Sequence, residues 1–139
     1  MSFMDAMVPD VATMCGEAHC VRDAGFPEGT YTGQHGTHAG RLVRHGYGRM
    51  DFENGDWYQG EWATDEMHGK GCFYYKKQDF GYLGAFESNC AVNGTYFFGN
   101  LVNFEHNVCP KGTVHVLRER SWEVVNLLQN RFWESLYKL

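Results

Sequence analysis

Histidine and cysteine are the residues in this sequence best suited to metal binding or catalysis, but their spacing predicts neither. His35 and His38 form an H-x-x-H pair that could touch one ion, yet two ligands do not fix a zinc site. A second cluster, formed by Cys15, His19 and Cys20, likewise lacks further ligands at a known spacing. We therefore expect no bound metal and no cofactor.

Other signatures of enzyme chemistry do not occur in the sequence. It contains no G-x-S-x-G, P-loop or kinase motif. Gly46 and Gly48 form G-x-G, but the residues that follow are typical of a strand, which rejects a nucleotide-binding fingerprint. His45 and His68 occupy the same place before a glycine pair, which favours a packing role for both. The sequence therefore predicts a protein that is not an enzyme.

Composition narrows the classes of partner. The 139 residues suit one domain, and the formal net charge of -5 disfavours nucleic acid and anionic lipid, which both attract positive charge. Five cysteines form no regular framework, which is typical of reduced thiols in the cytoplasm. The first residues lack the basic and apolar regions of a secretory signal. No apolar run approaches the roughly 20 residues that a membrane span requires.

A repeat dominates the middle of the chain. Gly48, Gly71 and Gly94 stand 23 residues apart, and each opens a short strand-like pattern with large apolar residues two and four positions later. Self-similarity at a fixed period indicates a repeat architecture. Such architectures usually make binding surfaces, so we expect binding and not catalysis.

The clearest unit runs over residues 45–62 and predicts a β-hairpin. Met50 and Phe52 alternate with polar neighbours, which is the period of a strand. Asn54-Gly55 follows, and this dipeptide is typical of a type I′ turn because both positions tolerate positive φ.

The return strand of this hairpin distributes its aromatic residues over two faces. Tyr58, Gly60 and Trp62 share one face, while Trp57 and Glu61 lie on the other. Because Gly60 has no side chain, we expect a ring from the next hairpin to lie flat against the backbone there.

Less regular units flank this one. Residues 68–86 repeat the pattern, with a wider or bulged turn expected at 77–79. A third unit begins at Gly94 and is expected to return over 101–104. Residues 29–33 are interpreted as the second half of an earlier, truncated unit.

These motifs resemble the MORN family (membrane occupation and recognition nexus repeats). The family pattern, Y-x-G-x-[WF] and then H-G-x-G, is matched by YQGEW at 58–62 and HGKG at 68–71, with a partial match of YLGAF at 82–86. The resemblance covers residues 29–104 and implies an elongated, twisted antiparallel sheet with a grooved face. The predicted fold is therefore mainly β, a short array of stacked antiparallel β-hairpins over residues 25–105.

Two extensions flank the array. Residues 1–24 show no clear period and are predicted to be an N-terminal arm. In the extension 106–139, Thr113–Leu117 predicts a short strand, and the spacing after Ser121 predicts an amphipathic helix of about 17 residues. Its stripe includes Trp122, Val125, Leu128, Phe132, Trp133 and Leu136. Two uses are open: the helix caps the aromatic sheet, or it docks into a partner.

The resulting functional hypothesis is a non-enzymatic scaffold in a larger multi-subunit assembly. Its partners are expected to be proteins, a second copy of the chain among them. The resemblance further implies a cytoskeletal setting, such as the axoneme of cilia or flagella. Two alternatives stay open: a peripheral membrane adaptor that binds anionic headgroups, and a regulatory module for an enzyme in another polypeptide. The expected partner-binding groove consists of Trp57, Tyr58, Trp62, Tyr74, Tyr82 and Phe86.

Overall fold

The chain forms one open β-sheet whose eight strands follow each other in sequence order. The structure, a computed structural model, describes residues 9–11, 20–77, 79–97, 108–117 and 131–135, with the backbone alone at 97 and 108–117. The strands are β1 (Cys20–Phe26), β2 (Gly29–His38), β3 (Arg41–Phe52), β4 (Trp57–Ala63), β5 (Glu66–Tyr75), β6 (Phe80–Glu87), β7 (Cys90–Phe97) and β8 (Val108–Leu117). Strands β1 to β7 pair antiparallel. The prediction of a mainly β chain with consecutive antiparallel strands is confirmed.

The two ends of the sheet differ from the expected pattern. β1 begins at Cys20, inside the segment predicted to be an arm, and pairs with β2. At the other end β8, which contains the predicted strand Thr113–Leu117, pairs parallel to β7. The expected return strand at 101–104 lies outside the described residues. A helix, α1, is described over residues 131–135.

The 23-residue glycine period has a direct structural counterpart. Each glycine of that series faces a second glycine across the antiparallel ladder, in the pairs Gly33–Gly48, Gly60–Gly71 and Gly84–Gly94. The strand register shifts immediately after each pair, so that one residue bulges out of the ladder. The three bulged residues are Gln34, Glu61 and Ala85.

A tyrosine ring covers each glycine pair, as Tyr58 illustrates. A Cβ atom on Gly71 would lie 2.2 Å from Cε1 of the Tyr58 ring, and the Tyr58 hydroxyl donates to the backbone oxygen of bulged Glu61 at 2.7 Å. The ring over Gly60 therefore belongs to its own strand and not, as expected, to the next hairpin. Tyr31 and Tyr82 repeat the arrangement, with hydroxyl bonds of 2.5 and 2.8 Å to the oxygens of Gln34 and Ala85.

Burial disfavours ionisation of the hydroxyl groups of Tyr75, Tyr82 and Tyr96. Loss of hydration raises the pKa of Tyr82 and of Tyr96 well above the usual tyrosine range, and the charge of nearby Tyr75 acts in the same direction. Burial also raises the pKa of Tyr75 to about 12. The Tyr82 hydroxyl therefore remains a hydrogen-bond donor to its bulge at any physiological pH.

The sheet curls around the face that carries Tyr31, Tyr58, Tyr82 and Tyr96, which we term the tyrosine face. Alternate strands of a flat sheet lie about 9–10 Å apart, yet rings two strands apart touch on this face. The ring centroids of Tyr31 and Trp62 are 5.7 Å apart, and those of Tyr58 and Phe86 are 5.0 Å apart. The rings of Tyr75 and Tyr96, on β5 and β7, also approach each other, with centroids 6.4 Å apart, so the tyrosine face is concave.

Turn geometry corrects one of the two expectations for the hairpin turns. Among the described residues of the Asn54-Gly55 turn, positive φ occurs only at Gly55, whose N–H donates to the Phe52 oxygen at 3.0 Å. The type I′ prediction for this dipeptide is therefore wrong. In the next hairpin Asp79, with φ 53°, donates its N–H to the Lys76 oxygen at 3.2 Å, and the strands close on the pair Tyr75–Phe80. Four residues separate Tyr75 from Phe80, against three between Phe52 and Asp56, in agreement with the wider turn expected there.

Residues outside the array cover the other side of the sheet, which we term the opposite face. Gln59 donates its side-chain amide to the Pro9 oxygen at 3.0 Å, and the Lys70 ammonium donates to the Ser135 hydroxyl of α1 at 2.6 Å. Trp133 in α1 is only 2% exposed. The described part of the C-terminal helix therefore packs against the sheet, as the capping alternative requires.

Candidate functional site

The curl of the sheet leaves a groove of about 350 Å³ on the tyrosine face. Its floor is apolar and consists of Phe52, Trp62, Met67 and Phe73. Its rim is polar and consists of Glu28, Arg44 and Asn89. We refer to these seven residues as the tyrosine-face groove. An apolar floor with a few polar groups around it is the usual composition of a binding site.

The floor of the groove is fixed before anything binds. Trp62 donates its indole N–H to the Gly48 oxygen at 3.0 Å, and its ring meets the Tyr58 ring edge-on at a centroid distance of 5.0 Å. Phe52, which is half-buried, stacks on Phe73 with centroids 5.7 Å apart and planes 27° apart. Side chains held in this way lose little entropy when a partner docks.

Arg44 is the most unusual residue of the rim, because its guanidinium is almost entirely buried. Its side chain is 9% exposed and lies between two rings, 4.5 Å from the Phe26 centroid and 4.6 Å from the Trp62 centroid. Two carboxylates neutralise it, with N–O distances of 2.6 Å to Glu28 and 2.8 Å to Asp65. Paired charges between aromatic faces are the form in which a buried arginine is tolerated.

Two hairpin turns anchor this rim to neighbouring strands, each through the same pair of hydrogen bonds. Asp65 donates its N–H to the Arg44 oxygen at 2.9 Å, and its carboxylate accepts from the Arg44 N–H at 3.1 Å. Asn89 likewise donates its N–H to the Met67 oxygen at 3.0 Å, and its side-chain Oδ1 accepts from the Met67 N–H at 2.9 Å. Both turn residues have positive φ, 71° and 70°, a conformation that aspartate and asparagine adopt more readily than most side chains. We call these contacts the turn clamps.

The Asp65 clamp has an electrostatic signature. Partial burial works to raise the pKa of the Asp65 carboxyl, but hydrogen bonds from the Arg44 side chain and backbone outweigh it. The positive charges of Arg44 and Arg41 act in the same direction, so the net effect lowers the pKa below its usual value. The folded state thus favours the ionised carboxylate.

Asp65→Asn is expected to reduce stability near neutral pH by about 0.5–1 kcal/mol, a modest value because the carboxylate is partly hydrated. Since the folded pKa is lowered, the carboxylate contributes stability above its unfolded pKa of about 4 and loses it as pH falls through the folded pKa. Urea unfolding at pH 7, 5, 4 and 3 should therefore show the two proteins converging in acid. A difference that stays constant down to pH 3 would contradict this assignment.

The six residues predicted for the partner-binding groove do not line one surface. Four of them, Tyr58, Trp62, Tyr82 and Phe86, belong to the core cluster of the tyrosine face, with exposures between 0% and 5%. Trp57 and Tyr74 pack against each other on the opposite face, with ring centroids 6.1 Å apart. Only Trp62 contributes to the groove, because the tyrosines are needed to cover the glycine pairs.

The predicted helix residues divide between described and undescribed parts of the chain. Phe132 and Trp133 lie in α1, half-buried and buried respectively. Arg131, Phe132 and Ser135 face the sheet across a second cavity of about 430 Å³, whose sheet side includes Leu83 and Thr95. Trp122, Val125, Leu128 and Leu136 lie outside the described residues.

The packing role expected for His45 and His68 has little support, because both side chains are exposed. His45 accepts a hydrogen bond at Nδ1 from the Thr64 N–H at 3.1 Å, which ties the end of one hairpin to the turn of the next. His35 is half-buried and His38 is exposed on β2. Within the described ranges, no group of three or more His, Cys, Asp or Glu side chains could hold a metal ion.

Sequence reasoning missed most of the groove. Phe52 and Phe73 belong to the repeated apolar positions, but nothing in their spacing tells them apart from core residues. The turn clamps had a usable signal: Asp65 and Asn89, 24 residues apart, each follow a small hydroxyl residue between two strands. No comparable sequence signal marked Arg44, since the corresponding position of the next repeat holds Met67.

Comparison with protein-family models and with curated proteins found no relative of this chain. No protein-family model matches the chain, and no curated protein matches it in sequence. Among the helices in the described part of the chain, none is long and apolar enough to cross a membrane.

Proposed function

We propose that this chain is a non-enzymatic scaffold of the MORN type that docks a protein partner in its tyrosine-face groove. The observation that carries the proposal is a preformed groove of about 350 Å³ whose floor includes the half-buried Phe52 and the anchored Trp62. Aromatic side chains in a fixed concave surface are typical anchors of protein interfaces.

The repeat geometry supports the MORN-type assignment. In each of three hairpins, a Tyr-x-Gly segment puts its ring over a glycine pair and bonds its hydroxyl to a bulge. These are the tyrosine and glycine positions of the Y-x-G and H-G-x-G motifs. One geometric reason therefore accounts for the spacing on which the resemblance rests.

Two of the three arginines of β3 are already paired with carboxylates, which favours protein docking over anionic lipid. Arg44 is paired with Glu28 and Asp65, and Arg49 is paired with Asp51 at 3.1 Å. Neither guanidinium is available as a bare charge for a lipid headgroup. We therefore propose a place in a multi-subunit protein assembly, such as the ciliary or flagellar axoneme that the MORN resemblance implies.

Phe52→Gln tests the proposal, with Leu42→Gln as the matched control because Leu42 is an exposed apolar residue, 41% accessible, at the far end of β3. Partners captured by the wild-type chain from native extract would be identified, purified and titrated against all three proteins. We expect Phe52→Gln to weaken direct binding at least about tenfold, as loss of an interface anchor does.

The control should keep wild-type affinity, and thermal melts should show that both variants fold. If folded Phe52→Gln binds the purified partner as tightly as the wild type does, the groove is not the docking site.

A further inference from the structure

We infer that the partner segment in the tyrosine-face groove inserts a cationic side chain, a lysine or an arginine, beside Phe52. This inference rests on the proposed function and names the chemistry of its partner. It is carried by a comparison of two neighbouring repeats, one of which already holds a cation of this chain.

The first repeat shows which chemistry the ring walls accept. Arg44 places its guanidinium between Phe26 and Trp62, 4.5 and 4.6 Å from their ring centroids, with the carboxylates of Glu28 and Asp65 around it. Aromatic faces and acidic oxygens together make a site for a planar cation.

The second repeat keeps one ring open to the groove and has a methionine where the first repeat has Arg44. The turn clamps show that Met67 takes the place of Arg44, because Asn89 holds Met67 as Asp65 holds Arg44. The ring that corresponds to Trp62 is Phe86, which is buried in the core, so the open ring is Phe52, which is half-buried and stacked on Phe73. Open aromatic surface thus remains at the position where the first repeat holds a guanidinium.

The charge exposed at the groove is negative. The Arg44 side chain is 9% exposed, whereas those of its partners Glu28 and Asp65 are 39% and 37% exposed. Glu53, also exposed, is held next to Glu28 by a backbone hydrogen bond of 3.1 Å. Solvent therefore meets carboxylates at the rim and rings at the floor, which complements a basic side chain with an aliphatic stem.

The test compares N-acetyl-arginine methylamide with N-acetyl-citrulline methylamide, which has nearly the same shape and no charge. Each would be titrated into the full chain and followed by NMR of the Met67 methyl and aromatic ring signals. We expect saturable shifts at Phe52, Met67 and Phe73, with the arginine probe binding about three- to tenfold tighter than the citrulline probe.

Two acid-to-amide variants sharpen the result. Glu28→Gln and Glu53→Gln should each reduce the preference for the arginine probe, while Glu134→Gln, which removes an exposed charge from α1, should leave it unchanged. Glu28 bonds to Arg44 and Glu53 does not. A loss of preference that both variants share is therefore not caused by altered packing of Arg44.

Three outcomes would overturn the inference: equal affinity of the two probes, shifts outside the groove, or no saturable shift. The proposed function fails separately. If the citrulline probe binds equally well in the groove, docking stands and the basic anchor is wrong. If folded Phe52→Gln keeps its protein partners, docking itself is wrong.

Discussion

Gly60→Ala is expected to lower the free energy of unfolding by about 3 kcal/mol, at the upper end of the usual cost of overpacking. A Cβ on Gly60 would lie 2.4 Å from Cα of Gly71 and 2.5 Å from the Lys70 oxygen. These are backbone atoms, so no side-chain rotation can relieve the contact. The strands β4 and β5 would have to separate at the Tyr58 ring, and urea unfolding at equilibrium would measure the cost.

Gly25→Ala is the matched control for this substitution. It adds the same methyl group to a glycine in a strand, but no atom lies within 4 Å of the new Cβ. We expect its stability to stay within about 0.5 kcal/mol of wild type. Equal effects of the two substitutions would mean that close approach of the glycine backbones does not organise the sheet.

Trp133→Ala is expected to destabilise the isolated chain by about 3 kcal/mol, as truncation of a buried tryptophan does. The reason is that Trp133 is 2% exposed in a helix that contacts the sheet through Ser135 and Lys70. A thermal melt of the purified chain, without any partner, provides the measurement.

Phe132→Ala tests whether the effect is specific to the buried position. Phe132 is half-buried and lines the cavity between α1 and the sheet, so its truncation should cost less than that of Trp133. If Trp133→Ala melts like the wild type, the helix does not cap the sheet and its docking to a partner becomes the better interpretation.

The sequence contained enough information to predict the middle of the sheet. Glycines at a fixed period and alternating apolar residues predict hairpins, and Gly48, Gly71 and Gly94 all lie under tyrosine rings. The reason is local: a strand pattern and a missing side chain act on neighbouring residues. The same reasoning placed Trp57 and Tyr58 on different faces, as the structure does.

What the sequence did not reveal depends on contacts between distant residues. The curl that sinks Tyr58 and Tyr96 into the core is accompanied by contacts between rings two strands apart, Tyr58 with Phe86 and Tyr75 with Tyr96. The parallel pairing of β8 with β7 joins distant segments, and the strand pattern of Thr113–Leu117 did not indicate its direction. The buried Arg44 is explained only by Glu28 and Asp65, which lie 16 and 21 positions away in the chain.

The fold and the proposed function are linked through the tyrosine-over-glycine contact. Because Tyr58 and Tyr82 occupy the space above glycine pairs, the rings beside them converge and the sheet becomes concave. The concavity leaves Phe52 and Trp62 at the floor of a groove instead of on a flat surface. Shape and apolar surface then favour association with another protein.

Docking through this groove is tested most directly by site-specific cross-linking. A benzophenone amino acid would be placed at position 52 in the groove or at position 134 on α1, and each chain would be irradiated in complex with a purified partner. Mass spectrometry should find one defined partner segment joined to position 52 and little or no product from position 134. Cross-links from position 134 with none from position 52 would show that the partner binds the opposite face, and would contradict docking in the groove.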